Sequence, residues 1–547
     1  MAGSITSDVT LTKTSEPKGS NIRPSNIANM AHHGKPLRGL MSTASSLHFD
    51  GRFGRMFRSL PRAKYGRTDE DSIAALKLLG AQMTSSFDPP KDGEDAEESG
   101  IPALYTYFGQ FVDHDLTFDP MTTLIKHSDP DALTDFRTPA FDLDNVYGRG
   151  PDDQPYMYDN GPKFLLGDVL DNGVRDLPRN SAAIRRALIG DPRNDENSIV
   201  SQFQCLLLRF HNRVIDDNPG FDFPTAQRFV RFHYQWVVLH DFLSRIVNRD
   251  VLDGLKSNGR FDPGKLKFYH FRHDPFMPVE FSVAAYRLGH SMVRPGYRLN
   301  DDDTTLLPIF PIPPNTIPEL PAGIADGLTG FRAMAANRGI DWGRFIDVDI
   351  RSYGTDNAQD ASTKKRLQFA YRIDTSLVTP LSILPASIAS DPPPSLPQRN
   401  LIRGFQLGLP NGQHVALAMG EEPLADADIK IGKAVDDPES GQDPDVRGNI
   451  ASIPELAPFK GNCPLWAYIL AEAFGTRTNI TIPVTEKKII STPQLGKVGG
   501  RIVAEVFLGI LSGDKNSQLN LAPLWTPPLQ KDGDFKLKDL VQYALGN

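Results

Sequence analysis

Apolar residues recur along this chain mostly at three- and four-residue intervals, the period of an amphipathic helix. The clearest run is Ser198 to Ile215, where Ile199, Phe203, Leu206, Leu207, Phe210 and Val214 keep to one stripe. Pro224 to Val247 repeats the pattern with Phe229, Phe232, Trp236, Leu239, Leu243 and Ile246. Asp69 to Met83, Val279 to Val293, Glu455 to Ala473 and Val498 to Leu511 predict further helices, the last closed by Gly513. Strict alternation, the mark of a half-buried strand, is scarce. The 45 glycines and 45 prolines predict many fixed turns and long irregular connections. The pattern therefore predicts a mainly α-helical, loop-rich fold. No internal repeat or linker divides it, so residues 46–547 are expected to form a single large domain. Residues 1–45 are rich in Ser, Thr, Asn and Lys with few bulky apolar side chains, and an extended or mobile arm is expected there.

One stretch breaks the ordinary amphipathic pattern. In Tyr105 to Pro120, YTYFGQFVDHDLTFDP, Tyr107, Gln110, Phe111 and His114 share a helical face. Asp113 lies three residues after Gln110 and projects beside that face. One helix then presents an amide, a carboxylate and an imidazole toward a common point. Asp115 must point elsewhere, so the two neighbouring acids are expected to do different work. Pro102 is expected at a first-turn position of this helix.

Composition narrows the class. A net charge of -8 argues against a nucleic-acid binder, which would show a basic footprint. Two cysteines, Cys205 and Cys463, cannot form a disulfide framework or a zinc site, and Cys205 in its apolar run reads as a buried thiol. The first residues lack a signal-peptide h-region, and no window has the length of apolar sequence that a membrane span needs. The expectation is a soluble protein, cytoplasmic or exported by a non-Sec route, and monomeric.

Three further stretches carry chemistry. In GDPRNDEN, Arg193 precedes a helix and Glu196 is expected in its first turn. In AYRLGHSMV, His290 is expected mid-helix, with Arg287 one turn earlier and Gly289 allowing a flat ligand to approach. In RNLIRG, Asn400 and Arg403 stand three apart. Haem would account for this set. It needs one histidine on iron with a hydrogen-bonded second nitrogen, and a distal base and cation to handle peroxide. His290 suits the first role, His114 and Arg193 the others.

The motifs GQFVDHD, TPAFDLDNVYG, GDPRNDEN with LLLRFHNRV, AYRLGHSMV and RNLIRG occur in one order over roughly residues 100 to 410. In this the chain resembles the animal-type haem peroxidase family, within the peroxidase–cyclooxygenase superfamily, and looks like a bacterial member. The resemblance implies a mainly α, loop-rich helical domain around a central haem b. It implies His114 as the distal acid–base, helped by Gln110, and Arg193 as the distal arginine. His290 would be the iron ligand, Asn400 its partner, and Arg403 a neighbour of a haem propionate. Asp113 and Glu196 match carboxylates that can form ester links to haem methyl groups. Asn197 stands where one branch has a methionine linked to haem, so that third link is absent. Asp115, Thr138, Ala140, Asp142 and Asp144 match a calcium site, with Asp144 in place of the usual serine.

The implied function is a haem peroxidase using hydrogen peroxide and a small-molecule donor, such as halide, thiocyanate or a phenol, in the setting of oxidative stress. The superfamily's fatty-acid dioxygenases carry a tyrosine three residues before the iron-binding histidine. Arg287 holds that position here, which disfavours a dioxygenase, and Tyr286 next to it would face elsewhere on a helix. A haem-binding protein without turnover is the remaining alternative. His211, His233 and His240 read as structural histidines. Phe210 replaces an acid common in the family and reads as a packing change. The acidic run Asp436 to Asp445 reads as a solvated loop.

Overall fold

The computed structural model describes residues 53–86, 90–117, 139–159, 161–271, 274–312, 327–354, 363–386, 388–389, 391–433 and 445–546. The predicted arm, Thr138 and most of the acidic run after Asp436 lie outside them.

The chain is mainly helical, as its periodicity predicts. Helix α1, Asp69–Gln82, starts from a Thr68–Asp71 capping box and buries Ala75, Leu76 and Leu79. Helix α2, Leu104–Leu116, is the chemically rich one and is buried along most of its length. Pro102 ends the preceding strand rather than opening this helix. Helix α3, Ser198–Asp217, packs on α2, and α4, Phe223–Trp236, packs on α3. Helix α4 runs on through a wider π turn, Val237–Phe242, into Leu243–Ile246. Helices α5 (Leu396–Gln406), α6 (Leu465–Gly475), α7 (Gly499–Gly513) and α8 (Leu537–Leu545) complete the frame.

Two predicted helices are broken. Val279 to Val293 becomes a single α-turn, Val279–Ser282, followed by a 3-10 stretch, Ala285–His290. Val283 and Ala284 leave helical geometry between them, so His290 closes a tight turn instead of sitting mid-helix. Glu455 to Ala473 splits: a 3-10 stretch, Pro454–Phe459, ends before Gly461, which turns left-handed at φ 64°, and the α-helix starts only after Pro464. Among the described residues, strands occur only as short two-stranded ladders, including Glu98–Pro102 with Phe369–Tyr371.

One core joins these elements. Phe108 and Phe111 of α2 meet Phe203 of α3 edge-on at 5.7 and 5.1 Å, and Phe108 meets Phe242 at 5.3 Å. These contacts fix which face of α2 remains for polar groups. The His290 turn is packed by α2, α6 and α7. Gly509 of α7 is required by close approach, since a Cβ there would lie 2.1 Å from the Tyr269 ring. Phe210 packs against Tyr543 of α8 and His233, in line with a packing role. Both cysteines are buried free thiols. Asp445, expected in a solvated loop, is instead buried, accepts from Ser86 and pairs with Arg447.

A buried ion cluster ties the His290 turn to the sheet residues. Glu98, fully buried, accepts from Arg294, Arg366 and Tyr353, while Arg294 also donates to the Phe369 carbonyl at 3.0 Å. Breaking one partner of such a cluster leaves buried charge uncompensated. Replacing Glu98 by Gln is therefore expected to destabilise the fold by about 3–5 kcal/mol. Comparing denaturant midpoints of the two proteins checks this, and equal midpoints would contradict it.

Candidate active site

Helix α2 and the segment before α3 build one wall. Asp191 receives the Arg193 backbone N–H, and a short 3-10 stretch, Pro192–Asp195, follows. Glu196 is the last residue before the cap of α3, not within its first turn. Asn197 caps α3, its Oδ1 accepting from Ile199 and Val200 N–H. The backbone here is pinned from outside: Ser198 N donates to Leu328 O at 2.8 Å and Gly330 N to Glu196 O at 2.9 Å.

His114 is buried, and its Nδ1 lies 2.7 Å from Asn194 Oδ1. Asn194 Nδ2 donates to Gln204 Oε1 at 2.9 Å, which leaves its oxygen for the histidine. His114 therefore donates from Nδ1 and keeps Nε2 as the lone-pair nitrogen, 3.6 Å from Glu196 Oε1. Gln110 Nε2 donates to that same Glu196 oxygen, and Asn197 Nδ2 donates to Gln110 Oε1 at 3.2 Å. Asn194 and Gln204 escaped the sequence reading. Only the position of Asn194 beside Arg193 could have marked it.

Arg193 is also pinned. It pairs with the fully buried Asp191 at 2.8 Å and donates to the His114 and Thr117 carbonyls at 2.9 and 2.7 Å, at the C-terminal end of α2. Asp113 is held above the usual carboxylate range by burial, opposed by Arg193 and Arg287 from either side. Burial likewise pushes Glu196 up to about 7, with Arg193 pulling down. Its side chain remains 34% exposed, and that solvent contact tempers the upward shift.

The facing wall is the 3-10 turn that ends at His290. Burial, with Arg287 beside it, lowers His290 to about 3, so the imidazole is neutral, the form that binds a metal. Asn400 of α5 places Nδ2 2.8 Å from His290 Nδ1, and its Oδ1 accepts from Arg287 at 3.0 Å. The contact is the expected one with the amide turned the other way. Ligation through Nε2 needs that amide to turn over, so that Oδ1 accepts from Nδ1–H. Arg403 follows Asn400 by one helical turn. Tyr286 is buried and donates to the Gly109 carbonyl of α2 at 3.2 Å, bridging the two walls.

The residues between the walls fit a flat prosthetic group. A Cβ on Gly289 would meet no atom within 4 Å, although Leu288 and Met292 nearby are buried. Arg287 Nε is buried without a hydrogen-bond partner. A separate cavity of about 150 Å³ lies behind Asp195 and Ser198, lined by Arg179, Thr329 and Arg338 and by none of the predicted site residues.

Asp115 turns away from this pocket, as its place on the helix requires. Its carboxylate meets those of Asp142 and Asp144, with oxygens all within 4.8 Å of one another, and Asp115 is fully buried. Leu143, in the left-handed region at φ 57°, makes the sharp turn between the two loop acids. Ala140 is buried at the start of this loop, and Thr138 lies outside the described residues. Like charges this close fit a hard cation with oxygen ligands. His211 and His233 are hydrogen-bonded structural histidines, to Tyr147 and Pro162 and to Phe229, and His240 stacks on Trp236.

Residues 130–314 match the animal haem peroxidase family model. Dual oxidase from Drosophila melanogaster is 26% identical over 140 residues, 24% of this chain and 8% of that protein. Peroxidase A from Dictyostelium discoideum superposes with a TM-score of 0.53 at 15% identity, covering 86% of this chain and 88% of the other. Oryza sativa fatty acid alpha-dioxygenase superposes at a TM-score of 0.48 with 13% identity, covering 91% and 84%. The chain thus resembles the animal haem peroxidase family in sequence over that segment, and shares its helical fold along most of its length.

The Glu196 shift has a direction that can be tested without haem. A carboxyl raised from 4.5 to about 7 binds its proton more tightly folded than unfolded, so stability falls as pH rises through that window. Glu196→Gln is expected to match the parent near pH 4.5 and to exceed it by pH 8. Denaturation midpoints of both proteins across that range measure it, and a constant difference would contradict it.

Proposed function

We propose that this chain, which resembles the animal haem peroxidase family over residues 130–314, is a haem-dependent peroxidase that reduces hydrogen peroxide and oxidises a small-molecule donor. The observation that carries the reading is the His114–Asn194 contact at 2.7 Å, which leaves Nε2 as an acceptor beside Glu196, on the helix that packs against the turn ending at His290. Haem held by His290 would supply a redox-active iron that binds oxygen ligands and exchanges electrons with donors. The chain's own residues would handle protons and charge around it.

In this reading His114 Nε2 would take a proton from one peroxide oxygen and return it to the other, which leaves as water as the O–O bond breaks. Two electrons from the donor and two protons would then reduce the remaining oxygen to a second water. Asn194 holds the ring in the required tautomer throughout. Arg193 contributes fixed positive charge at the end of α2, and Gln110 a neutral donor beside His114. Asn400 orients His290, Arg287 and Arg403 supply positive charge on that wall, and Asp113 and Glu196 stand as the carboxylates available for ester links to haem methyl groups. The Asp115, Asp142 and Asp144 carboxylates, with Ala140 and Thr138, would hold calcium. That ion and the pocket then share one helix, because Asp115 directly follows His114.

Replacing His114 by Ala should leave haem uptake intact and lower peroxide-dependent oxidation of guaiacol or iodide by about 10²–10⁴-fold. Stopped-flow absorbance measures the peroxide reaction, and an unchanged rate would refute the assignment. Oxygen uptake with an unsaturated fatty acid, in place of peroxide-driven oxidation, would favour a dioxygenase. Chelation of calcium should reduce peroxide turnover before far-UV circular dichroism reports unfolding. Retained turnover in demonstrably calcium-free protein would break that coupling.

A further inference from the structure

A second aromatic cluster lies on the outer side of α4, away from the pocket. The Trp236 ring stacks on His240 at 3.9 Å and stands 6.0 Å from Trp525, which also meets Phe232 edge-on at 5.6 Å. Both tryptophans are half-buried, and Leu521 and Leu524, just before Trp525 in the chain, are exposed. Trp236 Nε1 is itself buried and has no hydrogen-bond partner among the described residues. A buried indole N–H ordinarily finds one, so this ring is held in an unusual setting. The inner side of the same helical stretch packs on α2. Tyr234 lies 6.1 and 6.2 Å from Phe108 and Phe111, and Phe242 lies 5.3 Å from Phe108. Aromatic rings thus line both faces of α4, from solvent to the helix that carries His114.

We propose that Trp525 and Trp236 form a second oxidation site, where phenolic polymers too large for the pocket give up electrons one at a time. His114 is buried, so a polymer cannot bring its rings to it. Trp525 instead presents an indole at the surface, beside exposed leucines that suit an aromatic ring. Trp236 gives one electron across α4 to the peroxide-oxidised centre, and Trp525 replaces it. Trp525 then takes one electron from a phenol, whose proton passes to water as the phenoxyl forms. Each peroxide consumes two phenols and yields two phenoxyls and two waters. With no acceptor for its N–H, the oxidised Trp236 ring keeps its proton and stays a stronger oxidant than the neutral radical. The inference rests on the haem-peroxidase reading of the pocket.

The test gives the haem-loaded protein two donors, guaiacol and sulfonated lignin, a polymer of guaiacyl units. Trp525→Phe keeps a ring in place and removes the indole. It is expected to lower kcat/KM for sulfonated lignin about tenfold, read as peroxide consumption, with guaiacol unchanged within about twofold. Trp236→Phe is expected to do the same. Freeze-quench electron paramagnetic resonance without any donor supplies a second readout. Peroxide should give the parent a radical signal that narrows when its tryptophans carry ring deuterium, and Trp236→Phe should lose that signal. Equal lignin rates in parent and variants would overturn the proposal, as would equal losses with both donors. So would a parent that oxidises guaiacol but not lignin, or a radical unchanged by deuteration. A parent that takes up no haem, or oxidises neither donor, would instead overturn the reading of the pocket.

Discussion

The structure depends on a single constraint: every polar group forced into the interior beside α2 must be hydrogen-bonded or charge-compensated. Aromatic packing of Phe108 and Phe111 against Phe203 decides the rotation of α2. Once that rotation is set, Gln110, Asp113, His114 and Asp115 are carried into the core whether or not partners exist. The segment from Asp191 to Asn197 supplies partners for the first three. Asn194 takes the histidine, Glu196 and Asn197 take the glutamine from its two ends, and Arg193 balances Asp113.

Charge is compensated on both sides of the pocket by the same device, a buried acid holding an arginine or backbone amides in place. Asp191 fixes Arg193, and Glu98 fixes Arg294 four residues beyond His290. Isolated ion pairs of this kind add little net stability, because desolvation offsets the attraction. Their value is geometric. Asp191 fixes Arg193 against the end of α2, and Glu98 fixes the chain just beyond His290 to the sheet residues. On the far side of α2, Asp115 joins Asp142 and Asp144, three carboxylates whose repulsion a hard cation would relieve.

Much of this was legible in the sequence because it is local. Three- and four-residue spacing put Gln110 and His114 on one face and sent Asp115 to the other, and α1, α3, α4 and α7 followed from periodicity and caps. The expected partnership of His290 with Asn400 is also present, although its direction is reversed. Errors came where tertiary packing overrode local preference. The His290 region has the composition of a helix, yet packed against α2, α6 and α7 it forms a 3-10 turn. Pro102 pairs in a strand because Phe369 offers it a neighbour.

The sequence by itself therefore determined the helical class, the shared face of Gln110 and His114 and the opposite orientations of Asp113 and Asp115, all consequences of backbone period. Tertiary structure alone decided the protonation geometry. Which nitrogen of His114 carries hydrogen depends on Asn194, held in turn by Gln204, and which way Gln110 points depends on Asn197 at a helix cap. The two sides of these contacts stand about 80 to 90 residues apart along the chain. Hydrogen-bond direction is a property of pairs, and no spacing rule along one strand of sequence can fix it.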